Sequence, residues 1–326
     1  MKVLVLGGSG YIGSRLCAML ASSRWATPVS ASARHSTPDV ENVKLDTTDP
    51  AAMAHAVDGV DAVVNCVAGS AWAIAEGAKV LAEACAGTGC TRIVHLSSMA
   101  VYGRREGSVQ ERSPLDGSLG WYARAKCEAE RHLATFAEAG GTVAILRPGC
   151  VWGPGSELWV GRIGRCLRAK RLGDLGAEGD GWSNLVHVDD VCRAVSAALR
   201  MQLAARQVRT FNLAAPDSPR WNQYFVDLAI AIGATPVQRI PPLQLRVDAW
   251  VGGPALKVAQ SALGRAGRSP RAVPDPLPPG LLGLWQRQLR LESQPAQRDL
   301  EIRWTAYGEG LQQSAQWFLQ AGRHAP

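Results

Sequence analysis

With 326 residues, 47% of them apolar and 19% charged, the chain is too rich in core-forming side chains to be disordered and long enough for one large core or two smaller ones. Its short N-terminal apolar run stops at glycines without a cleavage-site pattern, and no stretch reaches the roughly 18 apolar residues of a membrane span, so a cytoplasmic protein with no integral membrane segment is expected. The net charge of +7 resides in residues 200–326, which hold 15 Lys/Arg against 8 Asp/Glu; no basic helix with interleaved aromatics accompanies it, so no nucleic acid is expected, and the excess reads either as a solvated surface or as attraction for an anionic or carrier-linked small molecule.

Strand and helix signals alternate along the first two thirds. Residues 2–6 read as a strand and 11–21 as a helix with Ile12, Leu16, Cys17 and Leu20 on one face. Weak strands follow at 28–33 and 43–45, then a helix at about 50–57, a strand at 62–66 and a helix at 73–86. Residues 92–96 are a strand, 121–138 a long helix and 142–146 a strand. This rhythm predicts a parallel sheet covered by helices on both faces. After Pro148, glycines and tryptophans interrupt it until a strand at 184–188, a helix at about 191–199 and a strand at 210–213. From Pro216 the chain is mostly helical with proline breaks, the clearest at 274–279, where four of six residues are proline. The expected division is 1–148 plus about 184–215 as a dinucleotide-binding domain, and about 149–183 plus 216–326 as a substrate lobe.

Between the first strand and helix lies Gly7-Gly8-Ser9-Gly10-Tyr11-Ile12-Gly13. Three glycines at this spacing serve a tight turn, the approach of a pyrophosphate to the backbone, and close packing of the helix on the strand. The helix N-terminus then offers N–H groups to phosphate. An acid at the end of the second strand would select NAD; Ala31-Ser32-Ala33-Arg34 has none. Ser32 and Arg34 suit a 2′-phosphate instead, so NADP(H) is preferred and NAD(H) remains open, as does a plain surface role for Arg34. Asp46 is placed to meet the adenine amino group, or else to cap the next helix.

Tyr122 and Lys126 stand four apart on one helix face. A free phenol has a pKa near 10, and a neighbouring ammonium would lower it toward the range useful for proton transfer. Alone, this spacing is a common accident. Here a strand ends in Ser97-Ser98, 24 positions before Tyr122, and the Ser98 hydroxyl can bond a substrate oxygen.

Together these residues resemble the extended short-chain dehydrogenase/reductase superfamily, in its epimerase/dehydratase branch. The resemblance rests on Gly7–Gly13, Asp46, 65–69, Ser98 with Val101-Tyr102-Gly103, Tyr122 with Lys126, Arg147-Pro148, Trp152-Gly153-Pro154-Gly155 and Val186-His187-Val188-Asp189-Asp190-Val191. It implies an α/β chain with a Rossmann doubly wound parallel sheet and a smaller, mostly helical C-terminal substrate lobe. It implies Ser98, Tyr122 and Lys126 as the catalytic group. The cofactor contacts it implies fall at Gly7, Ser9, Gly10, Tyr11, Ile12, Gly13, Ser32, Arg34, Asp46, Val67, Ala68, Lys126 and Pro148, with no metal. His187, Asp189 and Asp190 resemble the segment that returns the chain to the sheet and read as mainly structural.

Two parts of the family pattern are missing. Ile74 stands where an asparagine is usual, and the connection after the fourth strand is short, which suggests an open site or one closed by another segment or subunit; a homodimer is among the expected partners. Sugar-nucleotide enzymes of the family often carry an asparagine at the place of Cys150 and an arginine within the place of Ser183-Asn184-Leu185. Their absence brings the pattern closer to the hydroxysteroid dehydrogenase-like and dihydroflavonol reductase-like ketone reductases. Eleven tryptophans are many for this length, and Trp72, Trp152, Trp159 and Trp182 are expected either to line the cleft for a bulky apolar or aromatic substrate or to pack the second lobe. The leading expectation is therefore an NADP(H)-dependent ketone reductase or alcohol dehydrogenase; a nucleotide-sugar epimerase/dehydratase with retained cofactor is second, and a non-catalytic dinucleotide sensor third.

Two further features call for expectations. The eight cysteines form no Cys-x-x-Cys pair and read as buried free thiols. The basic amphipathic stretch 243–263, with Leu243, Leu245, Val251, Leu256 and Val258, reads first as a lid over the cleft and second as a membrane contact.

Overall fold

Short strands rich in valine, isoleucine and leucine, several of them ended by glycine, serine or asparagine, build the central sheet. A computed structural model describes residues 1–269 and 273–323. In chain order its main elements are β1 (Lys2–Leu6), α1 (Tyr11–Ala21), β2 (Thr27–Ser32), β3 (Glu41–Lys44), α2 (Pro50–Val57), β4 (Ala62–Asn65), α3 (Ala71–Ala86), β5 (Arg92–Leu96), α4 (Trp121–Glu138), β6 (Thr142–Pro148), α5 (Val188–Arg200) and β7 (Val208–Leu213). The sheet runs β7-β6-β5-β4-β1-β2-β3, with every pair parallel. Strand order reverses between β1 and β4, so the loops after them diverge and leave a crevice at their carboxyl ends.

The element boundaries follow local chemistry. Helix α3 starts at Ala71, earlier than its apolar periodicity suggests, because Ser70 caps it by accepting a bond from the Ala73 N–H at 3.1 Å. Helix α5 starts at Val188, with Asp189 and Asp190 in its first turn where the helix dipole favours acids. Strand β6 continues to Pro148, opposite Leu213, and the next N–H, of Gly149, bonds to the Leu213 carbonyl at 2.9 Å.

The described residues fall into two compact units. The first comprises Met1–Gly149, Val188–Ala214 and Leu291–Trp304. Its core is aliphatic: Leu4, Leu6, Val63, Ile93, Val143 and Ile145 of the sheet meet Ile74, Ala78 and Leu81 of α3 and Ala125, Ala129 and Leu133 of α4. The segment Leu291–Trp304, read from the sequence as part of the second lobe, lies here instead. Among the contacts that hold it, Ser293 Oγ accepts from the Ala214 N–H at 2.9 Å, the Glu292 N–H donates to the Val109 carbonyl at 2.9 Å, and Asp299 pairs with Arg209.

The second unit takes in the described residues of 150–187, 215–290 and 305–326. Its short parallel strands Cys150–Trp152 and Leu185–His187 are joined by helices including Trp221–Ala231, Gly253–Arg265, Pro279–Trp285 and Tyr307–Arg323. Its core is aromatic. Trp221 stacks on Phe225 at 5.6 Å, Phe225 meets the edge of Trp285 at 5.2 Å, and Trp152 stacks on Tyr307 at 5.6 Å. Trp159 leans on Trp221, and Trp182 has the guanidinium groups of Arg220 and Arg290 each 4.5 Å from its ring centre. Trp152, Trp159 and Trp182 are thus engaged in packing within this unit, whereas Trp72, at the start of α3, is exposed.

All eight cysteines are unpaired; seven are buried and Cys66 is half-buried. Among the described residues no helix is long and apolar enough to cross a membrane.

Candidate active site

The glycine turn comes first, because β1 must end where α1 begins. Gly7 adopts φ +75°, a left-handed conformation that disfavours a side chain, and its N–H and that of Gly8 bond to the Ala31 carbonyl at 2.8 and 3.2 Å. A Cβ on Gly13 would lie 2.3 Å from the Gly7 carbonyl oxygen and 2.8 Å from Gly8 Cα, so α1 could not seat on the turn with any larger residue. No side chain among the described residues caps α1, whose first N–H groups are left facing the crevice. Ser9, Gly10, Tyr11 and Ile12 complete this turn. Together the uncapped helix end and the glycine surface fit a dinucleotide pyrophosphate.

The other expected cofactor positions lie at the carboxyl ends of neighbouring strands. Ser32 ends β2, and its hydroxyl donates to the His35 carbonyl. Arg34 is exposed and makes no ion pair or hydrogen bond with the described residues. Asp46 follows β3; it accepts bonds from the Thr48 N–H at 3.0 Å and hydroxyl at 2.8 Å, which hold its carboxyl below the usual range. The cap of α2 is Asp49, so the helix-capping alternative for Asp46 does not hold: its two bonds close a turn one step earlier. Val67 and Ala68 follow β4, where Asn65 Oδ1 accepts from the Val67 N–H at 3.0 Å and fixes the turn. Pro148 ends β6 and is buried.

Ser98 follows β5, caps the turn Met99–Tyr102 by accepting from the Ala100 N–H at 3.2 Å, and lies beside the Tyr122 hydroxyl. Tyr122 is half-buried against the α3–α4 core, with the exposed Trp121 meeting its ring edge-on at 5.7 Å. Four residues on, Lys126 is almost fully buried. Its ammonium donates to the Leu96 carbonyl at 2.7 Å and the Val67 carbonyl at 3.2 Å, bridging the end of β5 and the loop after β4.

The electrostatics differ from the sequence expectation. Burial pushes the Tyr122 phenol up, opposed only by the Ser98 hydroxyl, rather than down under the influence of Lys126. The lysine itself is lowered to about 8 by loss of hydration. Desolvation is the leading cause at both groups, opposed at Tyr122 by the Ser98 hydroxyl and at Lys126 by Cys66 and Glu130. The pair is brought together, but as two desolvated groups of opposite shift.

A buried network supports this arrangement from beneath and was not foreseen in the sequence. Arg147 on β6 grips Glu130 on α4 with two bonds, of 2.9 and 2.6 Å, and donates to the Tyr102 hydroxyl at 2.8 Å. Tyr102 donates to Asn212 Oδ1 at 2.5 Å, and Ser97 Oγ donates to Glu130. Glu130 lies four residues after Lys126, so one helix presents both, and the network fixes the Ser97-Ser98 turn relative to α4. Tyr102 and Arg147, quoted above as motif residues, are therefore scaffold. The available signal was Glu130 on the inward face of α4 opposite an arginine within an apolar strand. His95, also missed, is buried on β5 without a partner for either ring nitrogen among the described residues; burial and the Lys126 charge hold it neutral.

Two further expectations can be placed. Asp189 ties α5 to α1 through Arg15 Nη2 at 2.8 Å, a structural contact. Ile74 is fully packed in the aliphatic core beneath Tyr122.

The NAD dependent epimerase/dehydratase family model matches residues 3–214. The chain is 30% identical over 213 residues to the 2-alkyl-3-oxoalkanoate reductase of Stenotrophomonas maltophilia, covering 60% of this chain and 64% of that protein, so it spans just under two thirds of that relative's length. Among solved structures, MoeE5 in complex with UDP-glucuronic acid and NAD superposes with a TM-score of 0.73 at 21% identity, covering 98% of this chain and all of that one (100%). The UDP-glucuronic acid 4-epimerase of Bacillus cereus in complex with NAD gives 0.75 at 17% identity, covering 100% and 99%. At these identities the two structures show a shared fold.

Proposed function

The chain belongs to the NAD dependent epimerase/dehydratase family, and from that premise we propose that it is an NADP(H)-dependent oxidoreductase that reduces a ketone, or oxidises the matching alcohol, on a bulky apolar substrate. The observation that carries this reading is the cluster of Ser98 beside Tyr122, with Lys126 buried one helical turn on and bonded to the loop after β4 and the end of β5.

The turn Gly7–Gly13 and the open end of α1 hold the pyrophosphate, Ser32 and Arg34 the 2′-phosphate, and Asp46, Val67, Ala68 and Pro148 flank the remainder. A bound nicotinamide supplies or accepts the hydride. Tyr122 keeps its proton at neutral pH, because burial raises its phenol, and so presents an O–H donor to the carbonyl oxygen. Ser98 holds that oxygen in place. Lys126 keeps α4 in register with the strand ends and places a cation near the proton donor. The second unit is the substrate lobe, and the exposed Trp121 next to Tyr122 offers an aromatic surface to an apolar substrate.

The ketone reading is favoured over a nucleotide-sugar epimerase by the second unit. Cys150, Ser183 and Asn184 are buried, with Asn184 Nδ2 donating to the Leu289 carbonyl at 2.8 Å and Ser183 Oγ to the Pro219 carbonyl at 2.5 Å, so none is free to grip a sugar diphosphate. The relative named as a reductase supports the same choice.

Tyr122→Phe tests the reading. Turnover of NADPH with a panel of aryl and long-chain ketones should fall by about a thousandfold, with NADPH binding unchanged by fluorescence titration. Turnover within threefold or so of wild type would remove Tyr122 from the chemistry.

A further inference from the structure

The stretch 242–265 is helical throughout, yet it is apolar on its outward face as well as its inward one, unlike a helix that only packs on its own unit. Leu245 and Ala249 are buried and Leu256 is half-buried, so the inward face is accounted for. The outward face carries Leu243, Val247, Trp250, Val251 and Val258, all between 53% and 74% exposed. These residues recur at helical spacing over about 20 Å, far more ordered than the scattered apolar residues of an ordinary surface. Two residues of the stretch expected to act with them, Leu245 and Leu256, face inward; Val247 and Trp250 take their place.

Charge identifies the partner. The one acid of the stretch, Asp248, turns inward and is held by two bonds from Arg171, of 2.6 and 3.0 Å. Lys257, Arg265 and Arg268 are exposed and have no ion pair among the described residues. Arg246 adds a cation shared with Glu178. The stretch presents an apolar stripe with an exposed tryptophan, flanked by cations, and contributes no outward acid of its own.

We infer that this face docks on an anionic lipid bilayer, lying in the plane of the headgroups with Trp250 and its neighbours among the acyl chains. The docking is peripheral and reversible, since no helix among the described residues can span a membrane.

Co-sedimentation of the full chain with vesicles tests it. Vesicles of 70% phosphatidylcholine and 30% phosphatidylglycerol should pellet the protein at low salt, pure phosphatidylcholine should pellet it weakly, and high salt should release it. Trp250→Ser with Val251→Ser and Val258→Ser, all surface positions, should lose at least about tenfold in partition with an unchanged circular-dichroism melt. Reversing Lys257, Arg265 and Arg268 to Glu should cost at least about fivefold per charge. Three outcomes overturn the inference: no binding to the anionic vesicles, equal binding by the triple serine variant, or light scattering that shows the stripe to be an interface between copies, with the wild type dimeric and the serine variant monomeric.

Discussion

The two units are stabilised by different means. In the first, a seven-stranded parallel ladder satisfies the backbone, and small aliphatic side chains fill the space between sheet and helices. Buried polar groups gather toward the carboxyl ends of its strands: Lys126, Glu130, Arg147, Asn212 and His95. In the second, the strands are three residues long, and stacked and edge-on rings of Trp152, Trp221, Tyr224, Phe225 and Trp285 supply the order that a ladder would give. An extended ladder fixes the ends of its strands without relying on the residues there, so those residues are free to carry charge and chemistry. A unit held by interlocked rings has little such freedom, and its tryptophans are needed where they are.

This contrast can be broken or sharpened by substitution. The largest stability effect is expected in the aromatic core. Trp221→Ala removes a fully buried ring and should cost about 3–5 kcal/mol in denaturant unfolding. Dinucleotide affinity should be unchanged under conditions where the protein is folded. A loss of affinity by isothermal titration in parallel with stability would show that the two units do not separate in this way.

Lys126→Met probes the opposite case, a buried charge that costs stability. Burial lowers the ammonium in the folded chain to about 8 from 10.5, so between those values the unfolded chain binds the extra proton. Stability from this group therefore rises as pH increases across that window, by about 3 kcal/mol at most. The rise should appear as the wild-type-minus-variant difference in urea melts at pH 7 and above pH 10. The difference is needed because the raised thiols of Cys17, at about 11, and Cys66, at about 12, act with the opposite sign. A pH-independent difference would mean that Lys126 is not desolvated as described. Turnover should fall in the variant regardless.

The smallest effect belongs to an exposed residue of the first unit. Arg34→Ala should weaken NADPH by about tenfold while leaving NADH and thermal stability alone. An equal effect on both cofactors would assign Arg34 no role in selecting the 2′-phosphate.

Much of the first unit was legible in the chain. Helices α1, α2 and α4 and strands β1 and β5 begin and end where periodicity and turn residues place them, because these signals lie within one or two turns of the residue concerned. The glycine turn was readable for the same reason. The site was legible as a set of residue types but not as an electrostatic arrangement: the spacing of Tyr122 and Lys126 gave proximity, whereas the direction of the phenol's shift depended on how deeply both were buried. Abundance of tryptophan left cleft lining and packing both open, because it carries no information about orientation; packing holds for Trp152, Trp159 and Trp182, the last lying between two arginines that follow it by 38 and 108 positions.

The sequence by itself determined the alternation of strand and helix, the glycine turn and the one-turn spacing of Tyr122 and Lys126, since each is written in residues close along the chain. Tertiary structure alone decided that Lys126 bonds the carbonyls of Val67 and Leu96, that Arg147 and Glu130 brace the serine turn, that Leu291–Trp304 lies with the first unit, and that the apolar stripe about Trp250 faces outward. These depend on which strands become neighbours and which faces they cover, and burial, which sets the cost of every charge and the fate of every apolar face, exists only once the distant segments have met.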